Sequence, residues 1–110
     1  MTPAKLLQVH ISEHDRWQNR PLYEAVVEKC RELGIAGATV FRGLEGYGDS
    51  SEIHRRPLIV TVVDSAENIA RLAPALEDIM DKGVIAIWDV EARRVQKSPG
   101  STTPAPPQPA

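Results

Sequence analysis

Along residues 4–11 the apolar Leu7, Val9 and Ile11 alternate with Lys5, Gln8 and His10, imperfectly because Leu6 is added, and this two-residue period predicts a strand. Residues 12–20 are polar and read as a loop. Pro21 fixes a φ suited to a first helical turn. Leu22, Ala25, Val26, Cys30 and Leu33 then recur at spacings of three and four up to Gly34, which predicts an amphipathic helix. The β-branched and aromatic side chains of residues 35–41 predict a second strand. Glycine and serine mark residues 43–51 as a loop that continues to about residue 56. Residues 58–63, apolar apart from Thr61, form a third strand. Asp64 or Ser65 is a fitting cap for a second helix, whose Ile69, Leu72, Ala73, Leu76, Ile79 and Met80 share one face. Pro74 lies inside that pattern and is expected to kink or split the helix. Gly83 ends it, and a fourth strand runs from Val84 to about Val95.

The order is βαββαβ. Two βαβ halves in so short a chain predict an α+β, ferredoxin-like sandwich, a four-stranded antiparallel sheet with two helices on one face. The other face needs solvent or another copy. Ile85 and Ile87, opposite Trp88, suggest another copy. One domain is expected over residues 1–95, followed by a proline-rich tail, residues 96–110, too poor in apolar side chains to offset its ordering entropy and so expected to be disordered.

Composition narrows the function. The 110 residues are 42% hydrophobic and carry a formal net charge of −2. The body beyond the tail's single Lys97 is slightly acidic, which argues against nucleic acid or an acidic membrane as general partner. No apolar run approaches the ~20 residues that cross a bilayer, and the N-terminus lacks a signal peptide's apolar stretch, so the chain is expected in the cytoplasm without membrane insertion. Cys30 is the sole cysteine and falls on the apolar face of the first helix, the place of an inert thiol. His10 and His14 are four apart with Glu13 and Asp15 nearby, but on a strand and a loop rather than on one helix face, so surface side chains are expected there and no metal. No nucleophile stands with a base, and no catalysis is expected.

The densest unusual feature is the run from Gly34 to Gly48, five glycines in fifteen residues, among them Gly37, Gly43 and Gly46. Such backbone can approach a ligand closely or form an anion-binding nest. It can equally consist of a helix cap, a turn and a strand end. Arg55 and Arg56 with Arg42 form a local basic cluster, with Glu45 and Glu52 near enough in sequence to neutralise much of it.

Gly37-Ala38-Thr39-Val40 followed by Gly46-Tyr47-Gly48 resembles the segment leading from the second strand into the T-loop of PII signal-transduction proteins. The closer resemblance is to a PII-like family of uncharacterised function, through Pro21-Leu22-Tyr23-Glu24-Ala25, the whole run from Gly34 to Gly48, Ser51 to His54, and Asp89-Val90-Glu91. It covers roughly residues 6–95. PII proteins are homotrimers that bind adenine nucleotides between subunits and grip or release a target enzyme or transporter through the T-loop. The resemblance implies a ligand site of Gly37, Thr39, Gly46, Tyr47 and Gly48, with Thr39 beside the base and Arg93 or Arg94 reaching phosphates. It implies an adenine nucleotide as candidate effector, a homotrimer, and a membrane transporter or enzyme as target. The phosphate loop of PII proteins is reduced here to Asp81-Lys82-Gly83, and residues 49–57 are far shorter than a PII T-loop. Two other classes share the architecture: a small enzyme of the dimeric α+β-barrel kind, and a metal-responsive trimer resembling the divalent-cation tolerance proteins, which would need His10, His14 or His54 to converge.

Overall fold

The computed structural model describes residues 2–47, 53–54 and 56–97. Strand β1 (Thr2–Ser12) is the axis, hydrogen-bonded along one edge to β7 (Pro57–Asp64) and along the other to β8 (Val84–Ala92), both antiparallel. A short β4 (Thr39–Arg42) extends the sheet beyond β7, giving the order β4-β7-β1-β8. Helices α1 (Leu22–Glu32) and α2 (Ala66–Glu77) cover one face. This is the α+β, ferredoxin-like arrangement expected from the pattern.

Side chains directly paired across antiparallel strands point to the same side of the sheet, so the register sorts the residues by face. Leu7, Val9 and Ile11 of β1 and Leu58, Val60 and Val62 of β7 are buried under the helices with Leu22, Ala25, Val26, Cys30, Ile69, Leu72 and Leu76. Val9 pairs with Ile85 and Leu7 with Ile87, so both isoleucines belong to the helix side. Ile85 packs on the core and Ile87 is 46% exposed beside it. The expectation that they make the uncovered face apolar is therefore corrected by one step of strand parity. That face carries Trp88, Val84, Val63 and Phe41 instead, 47, 56, 40 and 53% exposed, with Leu6 and Ile59 half-buried among them.

Four local readings also change. Ile35–Ala38 are not strand, because α1 ends in a Schellman turn: Gly34 has φ +73°, its N–H donates to the Arg31 carbonyl at 3.1 Å, and the Ile35 N–H donates to the Cys30 carbonyl at 2.9 Å. Ile35 is thereby buried in the core. Residues 16–21 are not plain loop but a two-residue hairpin, β2 (Arg16–Trp17) with β3 (Arg20–Pro21), turning through left-handed Gln18 and Asn19 and laying Trp17 against the core. Pro74 does not split α2, which runs unbroken to Glu77. The hydrogen bond it cannot donate falls to the carbonyl of exposed Ala70, open to water. Ile79 and Met80 lie beyond the helix, in the turn that follows. The tail from Ser98 onward lies outside the described residues.

Asp64, the last residue of β7, fixes both the start of α2 and the approach to β4. Its carboxylate accepts from the N–H of Ala36 at 2.9 Å, the N–H of Ser65 at 2.7 Å and the amide of Asn68 at 2.9 Å. Arg71 reaches the same linker, donating to the Leu33 carbonyl at 3.0 Å. Burial pushes the Asp64 carboxyl up, but the hydrogen bonds from Ala36, Ser65 and Asn68 outweigh it and hold the group below the ordinary value of 3.8. A depressed carboxylate stabilises the fold above its unfolded-state pKa and loses that contribution as pH falls through the folded one. Asp64→Ala is expected to lower stability by about 1–2 kcal/mol at pH 7. In urea titrations across pH, its difference from the parent protein should shrink below pH 3.8. A pH-independent difference would mean that the charge contributes nothing.

Candidate functional site

One end of the sheet gathers most of the chemistry. There β1 finishes, β7 and β8 begin, and β4 exits at Arg42. Gly43 donates its N–H to the Pro57 carbonyl at 2.8 Å, and Glu13 donates its N–H to the Arg56 carbonyl at 2.8 Å, so both roots of the segment between β4 and β7 are tied by backbone. Within that segment β5 (Gly46–Tyr47) pairs with β6 (Ile53–His54), Gly46 opposite His54 and Tyr47 opposite Ile53.

Charged side chains crowd the same end. The Glu13 carboxylate bridges Arg42 at 2.5 Å and Arg56 at 3.4 Å. The hydrogen bond from Arg42 lowers the Glu13 pKa below 4.5. Asp15 accepts the Ser12 N–H at 2.8 Å through its side chain and the Leu22 N–H at 2.8 Å through its carbonyl, closing the turn after β1, and lies 3.8 Å from Lys82. Beside Lys82 an open groove of about 290 Å³ is lined by Glu77, Met80, Asp81, Gly83 and Ile85. Gly83 has φ +125°, and a Cβ there would stand 2.8 Å from the His10 carbonyl oxygen. The tight crossing from α2 to β8 therefore requires glycine.

The residues expected to bind ligand are distributed as follows. Thr39 is exposed on β4 and pairs with Thr61, on the uncovered face with Phe41. Gly37 is exposed in the linker before it. Gly46 is half-buried and Tyr47 is 77% exposed, both at the loop end. Gly48 lies outside the described residues, as do Arg55 and Glu52 of the basic cluster. Arg93 and Arg94, both exposed, follow β8, whose Ala92 pairs with Thr2 at the opposite end of β1. At ~3.3 Å per residue the length of β1 puts them roughly 30 Å from Tyr47 along the sheet. Within one chain they do not share a site.

Glu13, noticed in the sequence only as a neighbour of His10 and His14, is the residue whose pairing with Arg42 and Arg56 pattern reading missed. It stands 29 positions before Arg42 and 43 before Arg56, and nothing local in the sequence links them. His10 is exposed on β1, and His14 lies in the turn, its N–H donated to the Ser12 hydroxyl at 3.1 Å. The Cys30 thiol is buried, and burial pushes it up to about 11.

The model of family DUF190, described as an uncharacterised ACR, matches residues 4–92. The chain belongs to that family. A UPF0166 protein of Aquifex aeolicus is 37% identical over 98 residues, 79% of this chain and 90% of its own length. Among solved structures, a nitrogen regulatory PII-like protein of Thiomonas intermedia, bound to ADP, AMP and bicarbonate, superposes with a TM-score of 0.70 at 16% identity, covering 84% of this chain and 97% of that one. The divalent ion tolerance protein of Ehrlichia chaffeensis superposes with a TM-score of 0.64 at 16% identity, covering 83% and 84%. The DUF190 chain thus shares the fold of PII-like proteins, as its glycine-rich run implies. No described helix is long and apolar enough to cross a membrane.

Two glycines separate local geometry from ligand chemistry. Gly83→Ala is expected to destabilise the chain by about 2 kcal/mol or more, because it adds a Cβ at positive φ against backbone. Gly37→Ala, which meets nothing within 4 Å, should stay within about 0.5 kcal/mol of the parent. Denaturant midpoints measure both. Equal losses would contradict the assignment of Gly83 as the constrained position.

Proposed function

We propose that this DUF190 protein is a PII-like regulator that assembles as a homotrimer through the uncovered sheet face and senses a small anionic ligand, with an adenine nucleotide as first candidate, in the clefts between copies. The observation that carries the reading is the division of the candidate site between the two ends of the sheet. Thr39 and Gly46 belong to β4 and the loop beyond it, whereas Arg93 and Arg94 leave the far end of β8, so a complete site needs a second copy. The apolar strip of Trp88, Val84, Val63 and Phe41 supplies a surface that such a copy would cover. The ADP and AMP carried by the Thiomonas relative in fold support the choice of ligand class.

In this reading the protein binds and signals in the cytoplasm and performs no catalysis. Ligand bound between copies favours one arrangement of residues 46–57 over another, and that segment then engages or releases a transporter or enzyme. A ligand shifts such an equilibrium only by its differential affinity for the two arrangements.

Multi-angle light scattering is expected to give a mass three times that of the chain, and Trp88→Glu with Val63→Glu should leave a folded monomer. A parent protein that is monomeric at micromolar concentration would overturn the assembly.

ADP at 100 times its dissociation constant should add about 2.7 kcal/mol of stability, read as a raised Tm. A Cβ at Gly46 comes no closer than 3.8 Å to Pro57, so Gly46→Ala should fold normally and yet weaken the shift if ligand approaches that backbone. Arg93→Ala should weaken it as well. A melting curve indifferent to ADP, AMP and ATP would remove the nucleotide reading.

A further inference from the structure

Glu13, Arg42 and Arg56 form an arrangement that the functional reading above does not use. Arg42 ends β4 and Arg56 precedes β7, so the two guanidinium groups stand at the exit and return of the segment joining those strands. Glu13 places one carboxylate oxygen toward each, Oε1 at 2.5 Å from Arg42 Nη1 and Oε2 at 3.4 Å from Arg56 Nη1. A doubly charged oxyanion can bridge two arginines in the same way, one oxygen to each planar fork. The backbone bond from the Glu13 N–H to the Arg56 carbonyl holds the Glu13 main chain beside the root of that segment, independently of the ion pairs.

We propose that Arg42 and Arg56 constitute an oxyanion site that the protein's own Glu13 occupies, and that a phosphoryl-type anion of at least two charges binds there by displacing the Glu13 carboxylate. Three observations make the exchange physically accessible. The three groups sum to one positive charge. Each guanidinium offers five N–H donors, and Glu13 is met through Nη1 of each. Both arginine side chains are 57% exposed, so the internal pair is screened by water and salt while an incoming anion has access. Displacement would release the side-chain tie between the turn after β1 and both roots of the loop, leaving the Gly43–Pro57 and Glu13–Arg56 backbone bonds in place. That consequence for signalling rests on the proposed role of residues 46–57, but the site itself does not.

The test is titration calorimetry of the full chain with inorganic pyrophosphate at low salt. Glu13→Gln keeps the backbone bond and removes the competing charge, and should bind pyrophosphate about fivefold tighter than the parent, the size of one unit-charge interaction near 4 Å in water. Adding Arg42→Ala or Arg56→Ala to Glu13→Gln should abolish the gain. Glu91→Gln, on β8 far from the pair, controls for net charge and should leave affinity unchanged. The proposal is overturned if Glu13→Gln binds no tighter, if the gain survives loss of either arginine, or if Glu91→Gln gives the same gain. ADP in place of pyrophosphate separates the two readings. ADP that binds parent and Glu13→Gln equally, with no gain for pyrophosphate, leaves the nucleotide reading standing and sinks the internal-carboxylate site. A pyrophosphate gain confined to Glu13→Gln with its arginines intact, without any ADP binding, does the reverse.

Discussion

The structure depends on β1 being paired along both edges. Its antiparallel ladders with β7 and β8 join the two βαβ halves, and their register fixes which side chains enter the core. Leu7, Val9 and Ile11 can be buried only if Val62, Val60 and Leu58 face the same way, and Ile85 follows through its pairing with Val9. A slip of one residue would move the whole set to the opposite face. The location of the uncovered apolar strip is therefore a consequence of the register that builds the core.

The same ladders set the ends of the sheet apart. Connections at the loop end are short and tied by polar contacts: Asp15 closes the turn after β1, Gly83 admits the close crossing into β8, and Glu13 spans the roots of the segment between β4 and β7. Asp64 and Arg71 act near the other end, holding the linker after α1 against α2. Individually these exposed or half-exposed contacts are weak beside apolar burial. Their effect is to choose one path for each loop across a surface on which many would be sterically allowed. The functional reading is sensitive to that choice, since the expected ligand-binding residues lie on or beside these loops.

Family and local geometry were legible to different depths. The glycine-rich run from Gly34 to Gly48 was enough to place the chain near PII-like proteins, and the match over residues 4–92 and the fold comparison agree. Its individual glycines needed the structure: Gly34 is a helix cap at positive φ, whereas Gly37 stands in open space with no local demand for glycine. The basic cluster around Arg42 was visible in the sequence, but its partial neutralisation by Glu13 was not.

The sequence by itself determined the number, type and order of the main elements. Periods of two and of 3.6 residues are local properties of the chain, and each identifies an apolar face without reference to any other segment. It also narrowed the cap of α2 to Asp64 or Ser65, and the Ser65 hydroxyl is the one that accepts the Asn68 N–H, at 3.1 Å. Tertiary structure alone decided which face of β8 joins the core, that Ile35 turns inward instead of extending β4, and that Glu13 meets Arg42 and Arg56. The face of β8 is set by the register of its ladder with β1, and the Glu13 contacts by segments brought together from far apart in the chain, neither of which a local pattern encodes. The inward turn of Ile35 comes from the Schellman turn at Gly34, whose carbonyl partners the residue types alone do not fix.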